Sequence, residues 1–418
     1  MNQTYFIGRL CRRGWLWVII SLVAGVCRLQ AQLPETVYLS GSRIDSLHVH
    51  KLFVTVDNLS FFKNNEWASN MAPGYTLPGF WIQPKAVYYP AKNIKLEGGV
   101  HSLWFWGTNQ YPSYAYSQLP YWNKGQKQAT HILPYFRAQI AFSRQVQLVF
   151  GNIYGGANHR LIEPLYHPEL NLTADPETGL QLLYDLPWLQ LDTWVNWTKF
   201  IYRSDTHQES FVYGLSSRLR GNRPEARLHV SFPVQVLAQH QGGQIDATDL
   251  PVQTVLNAAV GAALDWNLRR GALERISLEW ALAGSYQHAG QTWPLKRGHG
   301  SFTSLTATWT AFSVKSAYWE CDRFISLFGN PLYGAPSLAV QDAYFEHPKM
   351  IVLGAAYTRT FAPGMALGID FDLYYRLDSY LNDPASGVSP VDAKANYSFG
   401  IYFRVNPSFL LVKTRKQL

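Results

Sequence analysis

Two short motifs in the 418-residue chain put a base two residues from a hydroxyl. In an extended strand, residues i and i+2 share a face. His229-Val230-Ser231 would therefore stand an imidazole beside a hydroxyl whose proton it could take. His299-Gly300-Ser301 repeats the spacing, a measure of how easily it arises by chance. His48 and His50 also share a face, as two imidazoles holding one metal ion must. A stable zinc site takes three or four ligands, so a wet strand base accounts for them better. The glycine loop of nucleotide-binding enzymes, the HExxH zinc helix and the G-x-S-x-G elbow do not occur in the sequence. No catalytic residue, metal ligand or cofactor is assigned.

The densest polar set lies at 155–177, with Asn158, His159, Arg160, Glu163, His167, Glu169, Asp175 and Glu177. Such a set suits a constriction, provided the flanking elements can hold it in a lumen. Those elements are strands. In 275–286, Ile276, Leu278, Trp280, Leu282 and Tyr286 share one face while Arg275, Ser277 and Glu279 share the other. The same period of two puts Leu96, Val100, Trp104 and Trp106 opposite Lys95, Glu97 and His101, and Leu367, Ile369, Phe371, Leu373 and Tyr375 opposite Asp370, Asp372 and Arg376. It recurs at Tyr397, Phe399, Ile401 and Phe403 against Ser398 and Arg404. About sixteen such segments run from 47 to 405.

Composition narrows the class. Charged residues are 15% and hydrophobic residues 47%, against about 25% charge in an ordinary soluble chain. A mean hydropathy of −0.13 is too polar for a bundle of membrane helices. With 15 Trp, 25 Tyr and 22 Phe the chain also has more large apolar surface than a disordered one carries. Residues 1–31 read as a secretory signal, with Arg9, Arg12 and Arg13 ahead of an apolar run at 14–26 that is short for a spanning helix. Those arginines and Arg28 account for half of the formal net charge of +8. The remaining basic residues are scattered, so nucleic acid is not an expected partner. Beyond the signal, Cys321 stands alone and no intramolecular disulfide is available.

The connectors decide the architecture. They alternate between long (59–78, 108–129, 155–177, 322–348) and short (90–93, near 144, 186–188, 362–364). Antiparallel strands joined by short periplasmic turns and longer extracellular loops form a transmembrane up-and-down β-barrel. In lipid only a closed cylinder satisfies every backbone polar group of a strand. The expected division is a signal (1–31), a periplasmic N-terminal segment (32–46), the barrel (47–405) and a basic periplasmic tail (406–418).

Over 47–405 the sequence resembles the sixteen-stranded, porin-like outer-membrane barrels of gram-negative bacteria. The likeness is architectural and names no single family. In general porins the third long loop folds into the lumen and narrows it, which here is 155–177, without their acidic PEFGG-type element. The resemblance implies a cell outer membrane location, lipid around the wall and small polar solutes within. It also leaves open an association of copies through flat walls. The expected constriction and lumen residues are His159, Arg160, Glu163, His167, Arg137, Arg227, Arg275, Glu279, Asp370, Asp372 and Arg376. With Lys95, Lys315 and Arg404 against Glu97, Asp192 and Asp265, the lumen is nearly balanced in charge, and no ring of one sign selects ions. A porin-like channel is the first expectation. A closed barrel acting as adhesin or as secretion or envelope-assembly partner is the second, and a lipid hydrolase is the third. An aromatic first loop within 61–79 is expected to latch over its neighbours.

Overall fold

The computed structural model describes residues 33–68, 71–106, 128–202, 205, 207–243, 248–268 and 271–413. The expected signal at 1–31, almost all of the connector at 108–129 and residues 414–418 lie outside the described residues.

Period-two alternation becomes strands throughout. In chain order they are β1 (Lys51–Ala68), β2 (Pro73–Ala91), β3 (Ile94–Trp106), β4 (Gln128–Ala141), β5 (Val146–Asn152), β6 (Thr178–Asp185), β7 (Leu189–Lys199), β8 (Ser210–Arg220), β9 (Leu228–Gln241) and β10 (Gln253–Asn267). They continue as β11 (Leu273–Ala289), β12 (Arg297–Trp309), β13 (Phe312–Asp322), the short β14 (Tyr344–Glu346), β15 (Lys349–Ala362) and β16 (Met365–Arg376). The last are β17 (Ser379–Asp383), β18 (Gly387–Val391), β19 (Lys394–Val405) and β20 (Ser408–Lys413). Strands β14, β17 and β18 form a small sheet of their own. All others join one antiparallel sheet in which each pairs with its sequence neighbours. It closes where Asn58 of β1 lies opposite Val405 of β19. Strand β20 continues the line of β19 along β1, with Ser408 opposite Thr55. The barrel thus has sixteen staves, as the alternation implies.

The outside is an apolar belt to which Ile132, Phe136, Phe150, Val260, Leu282, Leu305, Leu353 and Ile401 contribute exposed side chains. On a soluble protein so continuous a surface would be a liability, and here it faces lipid. Short turns such as 92–93, 186–188, 310–311 and 363–364 gather at the periplasmic end, while 153–177, 323–348 and 377–393 connect strands at the other.

Two expectations need correction. The first connector is shorter than 59–78, because β1 and β2 stay paired in register from Leu52↔Tyr88 to Asn65↔Tyr75. The aromatic stretch is a hairpin extension that does latch onto a neighbouring loop, since Leu338 N–H donates to the Met71 carbonyl at 2.6 Å. Its alternation is mixed: Leu59, Phe61 and Trp67 share the buried inward face with Lys63 and Asn65, while Phe62 and Glu66 are exposed. The tail at 406–418 is in part a sheet strand, since β20 gives backbone pairing to the start of β1.

The N-terminal segment at 32–46 is also not simply periplasmic. Its Pro34–Tyr38 turn lies inside the barrel, with Leu33, Val37 and Tyr38 buried. Arg404 holds it by donating from Nη1 to the Val37 carbonyl at 2.5 Å. The Tyr38 ring meets Tyr402 edge-on at 5.6 Å. Gly368 on β16 makes the seat, since a Cβ there would come within 2.6 Å of both Leu33 and Val37 side chains. A Gly368→Leu substitution therefore displaces the segment at a cost of about 1–3 kcal/mol from overpacking. Thermolysin should then cut the refolded variant within 33–39 and leave the wild type intact there, with barrel migration on a gel unchanged.

Candidate functional site

The loop at 153–177 folds into the lumen, as its polar content implies, and the region at 323–348 meets it there. His167 N–H donates to the Phe328 carbonyl at 2.7 Å, Ser326 Oγ to the Pro164 carbonyl at 2.8 Å, and Tyr333 OH to Glu163 Oε2 at 2.6 Å. Leu165, Leu172, Phe324, Ile325 and Tyr333 are buried in one apolar cluster with Leu59, Leu103 and Trp319 of the wall. Side chains of the wall anchor the assembly all round. Asn257 on β10 donates to the Ile325 carbonyl at 2.7 Å, Gln235 on β9 accepts from Ile162 N–H at 3.0 Å, and Trp81 on β2 donates to the Asn171 carbonyl at 3.0 Å. Together with the N-terminal segment, which accepts from Gln139 at the Ser42 carbonyl, these pieces form a septum across the barrel.

The expected constriction residues take separate places in it. His159 is buried between Asp192 Oδ2, 2.7 Å from Nδ1, and Glu177 Oε2, 3.1 Å from Nε2. Its ring stacks on Trp194 at 3.4 Å, and Trp194 in turn lies over Gly214, where no Cβ would fit. Burial alone would lower the imidazole pKa, yet Glu177 and Asp192 raise it to about 9. Glu163 holds Lys315 and Tyr333. Burial opposes its ionisation, but the Lys315 ammonium keeps its pKa below the usual carboxylate value. His167 lies 3.5 Å from Glu169, which also accepts from Asn65 and Tyr75. The Arg160 carbonyl accepts from Gln235.

Of the wall residues, Asp370 binds Lys63 at 3.0 Å and Tyr402 at 2.9 Å, and Asp372 lies 3.6 Å from Lys315. Glu279 meets Arg218 at 3.4 Å. Arg275, Glu279, Asp370 and Asp372 line a cavity of about 570 Å³ below the septum. Arg137 reaches Glu97 at 3.5 Å, and the Arg376 guanidinium lies 4.5 Å over the Phe345 ring. Arg227 is the exception. It sits exposed in the turn before β9, not in the lumen, because that strand begins at Leu228. The His229–Ser231 pair does not form: His229 Nδ1 lies 2.9 Å from Asn222 Oδ1, and Ser231 Oγ accepts from Arg218 at 3.0 Å.

A different histidine pair was not expected. His131 near the outer start of β4 places Nδ1 2.8 Å from Asp175 Oδ1. His101 on β3 lies diagonally across, because His131 faces Leu103 and His101 faces Leu133. The Gln83 amide nitrogen is 2.9 Å from His101 Nδ1, so Gln83 donates there and the His101 proton sits on Nε2, buried with no hydrogen-bond partner among the described residues. His101 and Asp175 both line a cavity of about 120 Å³. The available signal was that both histidines fall on the inward positions of apolar strands. Asp175, which gives them meaning, is 44 residues from His131 in the chain. Among the described residues no cluster of three His, Cys, Asp or Glu is arranged to hold a metal ion.

A closed sixteen-stave barrel with an apolar exterior and a filled lumen is an outer-membrane protein. The chain belongs to the lipid A 3′-O-deacylase-type family, whose model matches residues 44–414. No curated protein matches it. Among solved structures it is similar to in-vitro folded OmpT, an outer membrane protein of Vibrio cholerae, at 11% identity and TM-score 0.43, covering 88% of this chain and 100% of that one. It is also similar to OccAB4 of Acinetobacter baumannii, at 9% and 0.46, covering 86% and 98%. OccK1 (OpdK) of Pseudomonas aeruginosa gives 12% and 0.45, covering 86% and 100%.

The His159 cluster makes a pH prediction. The folded state holds the proton more tightly than an unfolded chain with an ordinary histidine near 6.5. Its contribution, about 3 kcal/mol by linkage, is fully present below that value and is lost as pH rises to about 9. The denaturant midpoint of the refolded barrel should fall across this window. His159→Gln should lower stability at pH 6 and flatten the profile; an unchanged wild-type midpoint between pH 6.5 and 9 would contradict the assignment.

Proposed function

We propose that the protein hydrolyses an acyl ester of a lipid A-type glycolipid, with His131 and Asp175 as the water-activating pair. The carboxylate–imidazole contact at the long-loop end of the wall, the end that faces the outer leaflet, carries this reading. Asp175 accepts the Nδ1 proton and fixes the tautomer, so the lone pair that acts as base is on Nε2, which is buried. In the reaction Nε2 takes a proton from water, and the hydroxide adds to the ester carbonyl. The tetrahedral intermediate then expels the sugar alkoxide, which takes the proton back from the imidazolium. In this reading the His101 Nε2–H, on the neighbouring strand, donates to the developing oxyanion. Family membership supports the substrate class, and the septum supports a barrel that works at its surface.

The test is release of fatty acid from lipid A micelles by the refolded chain, followed by mass spectrometry. His131→Ala should abolish release, and Asp175→Asn should lower the rate by about 10²–10⁴. His101→Leu should lower it by about 10² through loss of one oxyanion donor. No release by folded wild type, or full activity in His131→Ala, would sink the proposal.

One observation favours a channel for small polar solutes instead: the 570 Å³ charged cavity below an inward third loop. Stable single-channel steps in a planar bilayer, enlarged by deletion of residues 158–170, would support that reading. Silence of both proteins would count against it.

A further inference from the structure

At the periplasmic end of the lumen, three cations share one carboxylate. Lys95 Nζ lies 2.5 Å from Glu97 Oε1, Lys85 Nζ 3.3 Å from Oε2, and Arg137 Nη1 3.5 Å from Oε1. Arg404 and Asp57 form a further pair at 2.9 Å. These six side chains line one cavity of about 220 Å³, which reaches Asn406 and Ser408 at the start of β20. All are largely withdrawn from water, Glu97 to 2% and Lys85 and Lys95 to 12% side-chain exposure. Four cations against two carboxylates leave an excess of two positive charges in a half-dry space. In the same wall two donors, Arg404 Nε and Thr55 Oγ1, and two carboxylate oxygens, Glu97 Oε2 and Asp57 Oδ1, are buried without a hydrogen bond among the described residues.

Buried charge persists in proteins when it is paired. Here carboxylates balance half of the charge, while Arg137 and Arg404 also donate to the Asn152, Ile153 and Val37 carbonyls, so a compact ligand with two negative charges and several acceptor oxygens completes the charge balance. We propose that this cavity binds a phosphate group, as a free anion or phosphomonoester entering from the periplasm or on the head of a phosphorylated lipid. Phosphate is a dianion near neutral pH with acceptors in a tetrahedral array, which suits two ammonium groups, a guanidinium nitrogen and a hydroxyl. The assignment does not rest on the hydrolase reading. Arg137 follows His131 by six residues down β4, and the cavity lies toward the opposite rim.

The experiment is calorimetric titration of the refolded full chain in detergent at low salt with inorganic phosphate. Chloride and micelles of a phosphorylated lipid serve as separate titrants. Saturable phosphate binding is expected, weakened about tenfold in Lys85→Gln and in Lys95→Gln, the loss of one charge-assisted contact. Lys85→Arg should stay within a few-fold of wild type. Binding of the phosphorylated lipid with none of free phosphate would support the same site with a lipid source. Absence of binding by either in a barrel that migrates as folded would overturn the proposal, as would binding unaltered in both glutamine variants. Neither result depends on whether fatty acid is released.

Discussion

Everything in this molecule follows from closing a sheet in lipid. A strand in hydrocarbon has no water to satisfy its backbone, so the ladder must run round to its own beginning. Here that seam joins Asn58 to Val405 and is lengthened by β20 along the first residues of β1. Closure with sixteen staves then creates a second problem. Eight strands enclose a space that side chains can fill, whereas sixteen leave a lumen wide enough for water. The chain fills much of that lumen with its own backbone.

Backbone in a lumen carries polar groups that must be paired too. This explains why the inward face of the wall is rich in amides and hydroxyls as well as charges. Asn257, Gln235, Gln181 and Ser285 each bond backbone of the N-terminal half of the inward loop or of 323–348. The ion clusters do the same work at longer range. Lys315 and Tyr333 fix Glu163, while Lys63 and Tyr402 fix Asp370. Because such clusters are buried, removing one partner costs far more than an exposed pair is worth. The septum is therefore part of the fold, and the wall and its contents specify one another.

The barrel was legible because its physics is local. Alternation along twelve residues reports a wall with lipid on one side, and connector length reports the end of the barrel to which each loop belongs. The inward loop was legible because His159, Arg160, Glu163 and His167 concentrate polarity in so few residues. What could not be read depends on partners far away in sequence. Residues past Asp57 on β1 looked like a loop, since Leu59 and Phe61 point inward and Glu66 outward. Apolar side chains mixed into the inward face make sense only once the lumen is known to hold packed apolar residues. The seat for Leu33 and Val37 is a glycine some 330 residues later. Arg227 failed for a smaller reason, a strand expected from 226 that begins at Leu228, enough to move its side chain from wall to turn.

The same filling explains where chemistry can occur. A catalytic group on the lipid face of a barrel would stand in hydrocarbon, without the dipoles that stabilise developing charge. One deep in an open lumen would be out of reach of a membrane lipid. The seam between the wall and an inward-folded loop avoids both limits. The wall supplies His131 and His101 at fixed register, and the loop brings Asp175 against the first of them. The packed inward loop and 323–348 lie beneath the seam, which on the proposed reading would set the pair against protein and not against a water column. Loop and wall must both be in place for the carboxylate to orient the imidazole. On the proposed reading, activity at this seam depends on the packing of the inward loop, which the Glu163, Glu169 and His159 clusters hold in place.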